Sequence, residues 1–469
     1  MDPLAARDIL SATGGSLAQG ASDAMFVSLT TDTRSLERGS VFLALQGDRY
    51  DGHDFVGSAV QRGSKGLIVA HEHLGSVPSF DDDITIIAVD DTLVALGKIA
   101  NHRRQAHPIP LIAVTGSNGK TSTKEFIAAL LESRGEVLKT PGNHNNLIGV
   151  PLTLLELTDK HEFAVIEMGT NAPGEIKRLA AIAQPDVGVI TNVSMAHTQG
   201  LADLRGVARE KGALFEALPD TGTAIVNLDD SKVTEESQRT SARRVFFGEA
   251  EPADFRIQEY RFGARKPRVS GTLLLEDGEL EIDTDVLGFH QIRNAAAALA
   301  AVSAVGLSPR THHPSLLSVA AAPHRMQFLE ASGIWIIDDS YNANPASMRV
   351  ALETLERCKN LAQSKARAIA VLGDMNELGA ESAEAHRQVG ELVVELKIDF
   401  LITVGEAAEQ TTEAARDAGL RAVTHVKGPS EASEWVRRVG KPGDWLLVKG
   451  SRSMRLENVV DNLKQTEDL

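Results

Sequence analysis

A glycine-rich segment directly after an apolar run carries the residue types that bind phosphate. Leu111–Thr115 is predicted to be a buried strand, and an amphipathic helical pattern follows the loop. Glycines let backbone N–H groups approach phosphate oxygens, and a helix N-terminus adds free donors. The ammonium group of Lys120 can reach the β- and γ-phosphates, and the hydroxyl of Thr121 can serve Mg²⁺. The candidate nucleotide-binding residues are Gly116, Ser117, Asn118, Gly119, Lys120 and Thr121.

The match to the generic phosphate-loop pattern is incomplete. That pattern has a glycine six residues before the lysine, and this chain has Val114 there. A simple glycine turn that joins a strand to a helix is therefore the alternative. The order of strand, loop and helix favours nucleotide binding, because the loop needs both neighbours to present its donors.

Polar residues follow two further apolar runs. Residues 163–167 end in Glu167, and residues 187–191 lead towards His197. In open α/β sheets ligands bind beyond the carboxyl ends of the strands, so both side chains can lie close to Lys120. A carboxylate is the hard ligand that a metal ion on phosphate prefers. Taken singly, each residue has an ordinary explanation as a helix cap or a loop histidine.

The elements that must position these residues form an α/β pattern. Apolar runs alternate with helical patterns in the middle of the chain and again from residue 335 to 448, which is typical of parallel sheets. Residues 244–287 alternate in polarity and predict a small antiparallel insertion. We predict three α/β domains: a small N-terminal domain (1–90), a central P-loop-type domain with a mostly parallel sheet (91–322) and a Rossmann-like domain (323–469).

Composition excludes several classes of protein. The 469 residues carry a net charge of −16 and only 4% aromatic residues, which argues against nucleic-acid binding. One cysteine, Cys358, excludes a disulfide framework and fits a reducing compartment. The most apolar helical stretch, residues 295–307, is shorter than the roughly 20 residues that a bilayer span needs. We expect a cytoplasmic protein, a monomer without a membrane span.

Several motifs occur in an order that is similar to that of the Mur ligases. The loop at 115–121 departs from the generic pattern as theirs does, and Gly-Asn-x-Asn-Asn-x-x-Gly-x-Pro follows at 142–151. Asp-Asp-Ser-Tyr-Asn-Ala-Asn-Pro at 338–345, Gly-Asp-Met-x-Glu-Leu-Gly at 373–379 and Lys-Gly-Ser-Arg at 449–452 form a specific combination. The resemblance covers essentially the whole chain. His324 stands where family members often have glycine, and Gln291 where they often have asparagine.

The resemblance implies an activity. It implies ATP-dependent amide-bond formation, in which the carboxylate of UDP-N-acetylmuramoyl-tripeptide becomes an acyl phosphate that the amine of D-alanyl-D-alanine attacks. The product is a peptidoglycan precursor. The three domains would bind the UDP end of the substrate, bind and hydrolyse ATP, and complete the nucleotide and dipeptide sites.

The resemblance also assigns roles to residues of this chain. It makes Lys120, Glu167, His197 and Lys211 catalytic, and it makes Thr121, Glu167, His197 and Lys211 ligands of two Mg²⁺ ions, with Lys211 carried as a carbamate. It places Asn294, Arg325 and Asp339 on the nucleotide. It places Thr33, Arg34, Asn145, Asn146, Asn342, Asn344 and Ser451 on the substrates.

Other functions remain open at this stage. Another amide ligase on the same scaffold, such as a different Mur ligase or folylpolyglutamate synthase, is the alternative in the same class. A nucleotide switch is the alternative in another class, although a GTPase would need an Asn-Lys-x-Asp motif and the chain has no Asn-Lys pair. A catalytically silent relative that acts as a scaffold is the third.

Overall fold

The computed structural model describes residues 1–47, 49–194, 201, 203–262, 268–362, 366–376 and 378–465. Three large sheets draw on residues 16–89, 111–284 and 327–449. The α/β class predicted from the sequence is confirmed. The predicted domain limits at residues 90 and 323 fall between the sheets and stay predictions.

The first sheet belongs to the N-terminal part of the chain. Within the described residues it has five strands in the order β2-β7-β6-β5-β4, parallel except for the β2–β7 pair. The elements are β1 (Leu4–Ala5), α1 (Ala6–Thr13), β2 (Ser16–Gln19), β3 (Met25–Phe26), β4 (Leu29–Thr30), β5 (Val41–Leu43), α2 (Val56–Gln61), β6 (Gly66–Ala70), β7 (Thr85–Val89) and α3 (Thr92–Ala106).

The central sheet has nine described strands in the order β16-β15-β14-β13-β12-β11-β8-β10-β9. Its elements are β8 (Leu111–Thr115), α4 (Lys120–Glu132), β9 (Glu136–Lys139), α5 (Gly149–Leu155), β10 (His161–Glu167), α6 (Glu175–Ala183), β11 (Val187–Ile190), α7 (Leu204–Glu216), β12 (Thr223–Asn227), α8 (Ser231–Glu236), β13 (Arg243–Gly248), β14 (Phe255–Phe262), β15 (Val269–Leu275), β16 (Gly278–Thr284), α9 (His290–Ala304) and α10 (Pro309–His312).

The predicted antiparallel insertion at 244–287 is only partly correct. Strand β15 pairs antiparallel with both β14 and β16, but β13 pairs in parallel with β12, and β14 pairs in parallel with β13. The hairpin therefore extends the central sheet. Alternating polarity indicates that one face of a strand is exposed, but it does not indicate the direction of the neighbouring strand.

The third sheet has six described strands in the order β17-β18-β22-β19-β20-β21. Its elements are β17 (Gln327–Ala331), β18 (Ile334–Asp339), α11 (Pro345–Leu361), β19 (Ala368–Gly373), α12 (Ser382–Glu395), β20 (Phe400–Val404), α13 (Glu409–Asp417), β21 (Val423–Val426), α14 (Pro429–Val439), β22 (Trp445–Lys449) and α15 (Glu457–Lys464). In the part of the chain that is described, every helix is too short or too polar to form a bilayer span.

Two helices set the position of the phosphate loop. Helix α4 buries Phe126, Ile127 and Leu130 completely, and this apolar face fixes α4 against the sheet. Helix α9 is rich in alanine and fully buried from Ala295 to Ala301. Small side chains allow close helix packing, so α9 lies against α4 and brings Asn294 beside the loop.

Helix α3 joins the first two sheets. It packs on α1 and also on α5 and α6. Asn101 donates a hydrogen bond to the Ile182 carbonyl at 2.8 Å, and Arg104 donates one to the Ala183 carbonyl at 3.0 Å. A Cβ on Gly97 would lie 2.8 Å from Ile182 Cδ1. Because of this close contact, the N-terminal and central parts share one packed interface.

Candidate active site

The phosphate loop can be made only with glycine at two positions. Gly116 has a φ of 150°, and a Cβ there would lie 1.9 Å from Thr191 Oγ1. Gly119 has a φ of 82°, and a Cβ there would lie 2.6 Å from Asn294 Oδ1. Both the left-handed backbone and the close neighbours exclude a side chain.

The carboxyl end of β11 holds the loop in place. Ser117 N–H donates to the Asn192 carbonyl at 2.9 Å, and Asn118 N–H donates to Asn192 Oδ1 at 3.0 Å. Lys120 Nζ donates to the Gly116 carbonyl at 2.8 Å, so the ammonium group lies across the loop. Burial lowers the pKa of Lys120, and the charge of Glu167 partly offsets this. These contacts fix the loop and the Lys120 ammonium group in positions from which they can bind an anion.

Glu167 ends β10 as a fully buried carboxylate. Its Oε1 accepts a hydrogen bond from Asn145 Nδ2 at 2.8 Å, and Lys124 Nζ lies 3.9 Å from its Oε2. Glu167 Oε2 and Thr121 Oγ1 are both buried and have no hydrogen-bond partner among the described residues. Buried oxygens are ordinarily paired, so two such hard ligands at one site fit a divalent cation.

Lys211 is a buried lysine on α7. It is 2% exposed, and burial together with the charge of Lys120 lowers its pKa to about 7. The preceding residue, Glu210, accepts hydrogen bonds from the backbone N–H groups of Gly174 and Ile176 at 2.7 and 2.8 Å. Glu210 therefore ties α7 to the start of α6. His197, the remaining predicted ligand, lies outside the described residues.

The C-terminal domain contributes a charged cluster at the ends of β18 and β22. Asp339 and Lys449 are register partners, and Lys449 Nζ donates to Asp339 Oδ2 at 2.5 Å. Burial raises the pKa of Asp339. The Arg325 guanidinium lies 3.9 Å from the ring centroid of Tyr341. His324, where family members often have glycine, has a φ of 60°, which is the left-handed conformation that glycine favours.

One cavity of about 730 Å³ brings most of the predicted residues together. It lies at the carboxyl ends of the strands, between the central and C-terminal sheets. The predicted residues that line it are Ser117, Asn118, Gly119, Lys120, Thr121, Asn145, Glu167, Asn294, Arg325, Asp339, Asn342, Asn344 and Ser451.

Other predicted residues lie elsewhere. Asn146 lies three residues before α5, and its Oδ1 accepts from the backbone N–H groups of Ile148 and Gly149 at 3.1 and 2.9 Å. Thr33 and Arg34 lie on the N-terminal domain, where Arg34 is paired with Asp32 and is 85% exposed. Neither region lines the cavity, and the predicted residues Gly116 and Lys211 are also not among its lining residues.

The structure also adds cavity residues that the sequence prediction missed. Asn192 follows β11, and Lys449 ends β22, so the rule that ligands bind at carboxyl ends of strands could have identified both. His290 has no such signal. Burial lowers its pKa to about 4, and its Nδ1 has no hydrogen-bond partner in the described part of the chain.

Family models match three consecutive parts of the chain. "Mur ligase family, catalytic domain" matches residues 26–104, "Mur ligase middle domain" matches 114–302, and "Mur ligase, glutamate ligase domain" matches 324–452.

Individual relatives agree with the family models. UDP-N-acetylmuramoyl-tripeptide--D-alanyl-D-alanine ligase of Escherichia coli (strain K12) is 36% identical over 455 residues and 95% of each chain. The Bacillus subtilis (strain 168) ligase of the same name is 34% identical, over 93% of this chain and 92% of that one.

Solved structures extend the comparison. MurF from Acinetobacter baumannii has a TM-score of 0.89 and 30% identity over 99% of both chains. MurF ligase from Thermotoga maritima in complex with ADP has a TM-score of 0.83 and 27% identity, over 94% of this chain and 98% of that one. The resemblance inferred from the motifs is therefore confirmed, and the chain belongs to the Mur ligase family.

Proposed function

We propose that this enzyme is the ATP-dependent ligase that joins D-alanyl-D-alanine to UDP-N-acetylmuramoyl-tripeptide during synthesis of the peptidoglycan precursor. The observation that carries the proposal is the cavity in which Lys120, Thr121 and Glu167 face residues of the C-terminal domain. Support for the substrates comes from the relatives of that name at 34–36% identity. Support for the nucleotide comes from the ADP complex of the Thermotoga maritima ligase.

The reaction needs two anions to approach each other. The carboxylate of the muramoyl tripeptide attacks the γ-phosphorus of ATP, which forms an acyl phosphate and releases ADP. The amine of D-alanyl-D-alanine then attacks the acyl carbon, loses a proton and expels inorganic phosphate. Phosphoryl transfer depends on alignment and charge neutralisation. The phosphate loop orients the β- and γ-phosphates, and Lys120 neutralises their charge.

The residues present fit a magnesium site. Thr121 and Glu167 would bind the ion through the buried oxygens that lack a partner, and His197 and Lys211 would complete two sites by resemblance to the family. When bound, Mg²⁺ neutralises phosphate charge and fixes the phosphate geometry. A lysine with a pKa of about 7 is partly neutral at physiological pH, and the neutral amine is the form that adds to CO₂. This supports a carbamate on Lys211, formed with loss of one proton.

The remaining assignments complete the proposal. Asn294, Arg325 and Asp339 contact the nucleotide, and Asn145, Asn342 and Ser451 contact the peptide and dipeptide. Residues 1–90, with Thr33 and Arg34, bind the UDP end; residues 91–322 bind ATP; residues 323–469 close the site. Asn146 acts near the peptide by fixing the start of α5. The enzyme works as a monomer in the cytoplasm.

Phosphate release tests the proposed function. The enzyme is given ATP and Mg²⁺ with the muramoyl tripeptide alone, with D-alanyl-D-alanine alone, and with both. Phosphate release is measured, and the products are identified by mass spectrometry. We expect release only with both substrates, together with a pentapeptide product. Release driven by another amine would assign the enzyme to a different ligase of this scaffold. No release with any amine would favour a silent relative.

Replacing Glu167 tests the metal site. We expect Glu167→Gln to raise the Mg²⁺ concentration for half-maximal activity at least about tenfold, because a neutral amide is a weaker ligand than a carboxylate. Binding of Mn²⁺ to the ADP complex, followed by electron paramagnetic resonance, should weaken in parallel. Glu162→Gln, an exposed position on the same strand, is the control. An unchanged Mn²⁺ affinity in Glu167→Gln would contradict the assignment.

A further inference from the structure

A pair of amide side chains joins the phosphate loop to the C-terminal domain. Asn344 Nδ2 donates a hydrogen bond to Asn118 Oδ1 at 2.8 Å, across 226 residues of sequence. Asn118 belongs to the phosphate loop, and Asn344 is the N-cap of α11. Asn344 is only 9% exposed. The contact therefore links the loop of one domain directly to a helix of another.

Capping of α11 fixes which atom of Asn344 faces the loop. Asn344 Oδ1 accepts from the Ser347 N–H group at 2.9 Å, and the Asn344 N–H group donates to Ser347 Oγ at 3.0 Å. A carboxamide has one oxygen, so its capping role leaves the amide N–H group for Asn118. Both polar atoms of the Asn344 side chain are thus engaged within the protein. This differs from the substrate contact that the family resemblance implies for Asn344.

Asn118 is fixed just as firmly from the central domain. Its carbonyl accepts from Thr191 Oγ1 and Asn192 Nδ2 at 2.6 and 2.9 Å, and its Nδ2 donates to Ser194 Oγ at 3.1 Å. Its Oδ1 is the atom left to accept from Asn344. A displacement of α11 from the loop must therefore break the amide pair or move the loop.

A second contact on the same helix supports this geometry. The guanidinium of Arg357, three turns along α11, lies 4.2 Å from the ring centroid of Phe289. Phe289 directly precedes α9, the helix that carries Asn294. Helix α11 therefore touches the nucleotide-binding elements of the central domain at two separate points.

We propose that Asn344 is a positioning residue that acts through Asn118. The amide pair fixes the C-terminal domain on the phosphate loop, and it thereby places Arg325 and Asp339 against a bound nucleotide. Through this hydrogen-bonded pair, a movement of the phosphate loop is coupled to a movement of the C-terminal domain. The inference rests on the proposed nucleotide site and is independent of which amine the enzyme accepts.

A double-mutant cycle on ADP affinity tests the pair. Isothermal titration calorimetry with ADP and Mg²⁺ compares the wild type with N118A, N344A and N118A/N344A. We expect each single change to weaken ADP binding about five- to tenfold, as for loss of one buried hydrogen bond. The double variant should bind no more than about twofold more weakly than the weaker single variant, because the pair is lost only once. Fold-changes that multiply would overturn the proposal.

Two further variants separate positioning from helix capping. N344S keeps a hydroxyl acceptor for the Ser347 N–H group but is too short to reach Asn118, so it should weaken ADP binding about as much as N344A while the helix cap remains. D91A removes the cap that Asp91 gives to Val94 N–H of α3, a helix that does not line the cavity. It should lower the melting temperature and leave ADP affinity unchanged.

The outcomes distinguish the possible failures. Wild-type affinity in N344S, or an equal loss in D91A, would overturn the positioning role. A wild-type enzyme that does not bind ADP would overturn the nucleotide site, and this inference with it.

Discussion

Lys120→Met is expected to slow ADP formation by about 10³-fold or more under otherwise saturating conditions. The variant keeps the apolar stem and removes the only phosphate-loop cation, which lies 2.8 Å from the Gly116 carbonyl. Cationic groups that act on the transferred phosphoryl contribute about 10³ to 10⁵ in rate in related chemistry. A coupled assay of ADP release, with both substrates present, measures the effect.

A matched lysine variant controls for the loss of a charge. Lys65→Met removes an exposed lysine of the N-terminal domain that pairs with Asp83, and its rate should equal that of the wild type. A Lys120→Met variant that retains more than about a tenth of the wild-type rate would show that the loop does not bind the reacting phosphates.

Lys211→Met is expected to lower the ligase rate by about 10³-fold or more. It is also expected to increase the stability of the folded chain. The loss of activity follows if a carbamate on Lys211 holds a metal ion at the phosphates. Lys211→Arg keeps a cation that does not form a carbamate, and it should be equally inactive. With ¹³C-labelled bicarbonate, the wild type should show a carbamate carbon resonance that both variants lack.

The gain in stability follows from the sign of the pKa shift. The amine of Lys211 has a pKa of about 7 in the folded chain and an ordinary value of 10.5. Between these values the unfolded chain binds more protons, so the free energy of unfolding rises with pH over this window. Below pH 7 the full penalty of about 5 kcal/mol applies, at about 1.4 kcal/mol for each pKa unit.

Thermal unfolding without CO₂ measures that penalty. Lys211→Met should melt at least about 2 °C higher than the wild type at pH 6.5, and the difference should shrink towards pH 10. A lower melting temperature for Lys211→Met than for the wild type at pH 6.5 would show that the buried amine does not destabilise the folded chain. An active variant would remove Lys211 from the mechanism.

Local features of the site could be predicted from the sequence. The phosphate loop is a continuous run from Leu111–Thr115 into α4, so covalent neighbours bring its parts together. Glu167 could be added because it ends a strand of the same sheet, and the carboxyl ends of parallel strands share one edge. The family motifs then supplied Asn294, Arg325 and Asp339, and these line the same cavity.

Features that depend on distant pairing could not be predicted. The bond between Asn118 and Asn344 spans 226 residues, and neither residue carries a local signal for the other. The parallel direction of β13 depends on its partner β12 and not on its own polarity pattern. The contact of Asn146 with the backbone N–H groups of Ile148 and Gly149 competed with its place in a substrate motif, although asparagine side chains often accept such bonds just before a helix.

The two glycines of the phosphate loop bear on drug resistance. An inhibitor that binds the backbone of Gly116 and Gly119 makes contacts that no substitution at these two positions can block without damaging the loop. Any side chain there would collide with Thr191 or Asn294 and would have to adopt a left-handed backbone. Resistance by substitution at these positions would therefore also disable the loop. Compounds anchored on this backbone should lose potency only through changes elsewhere in the cavity.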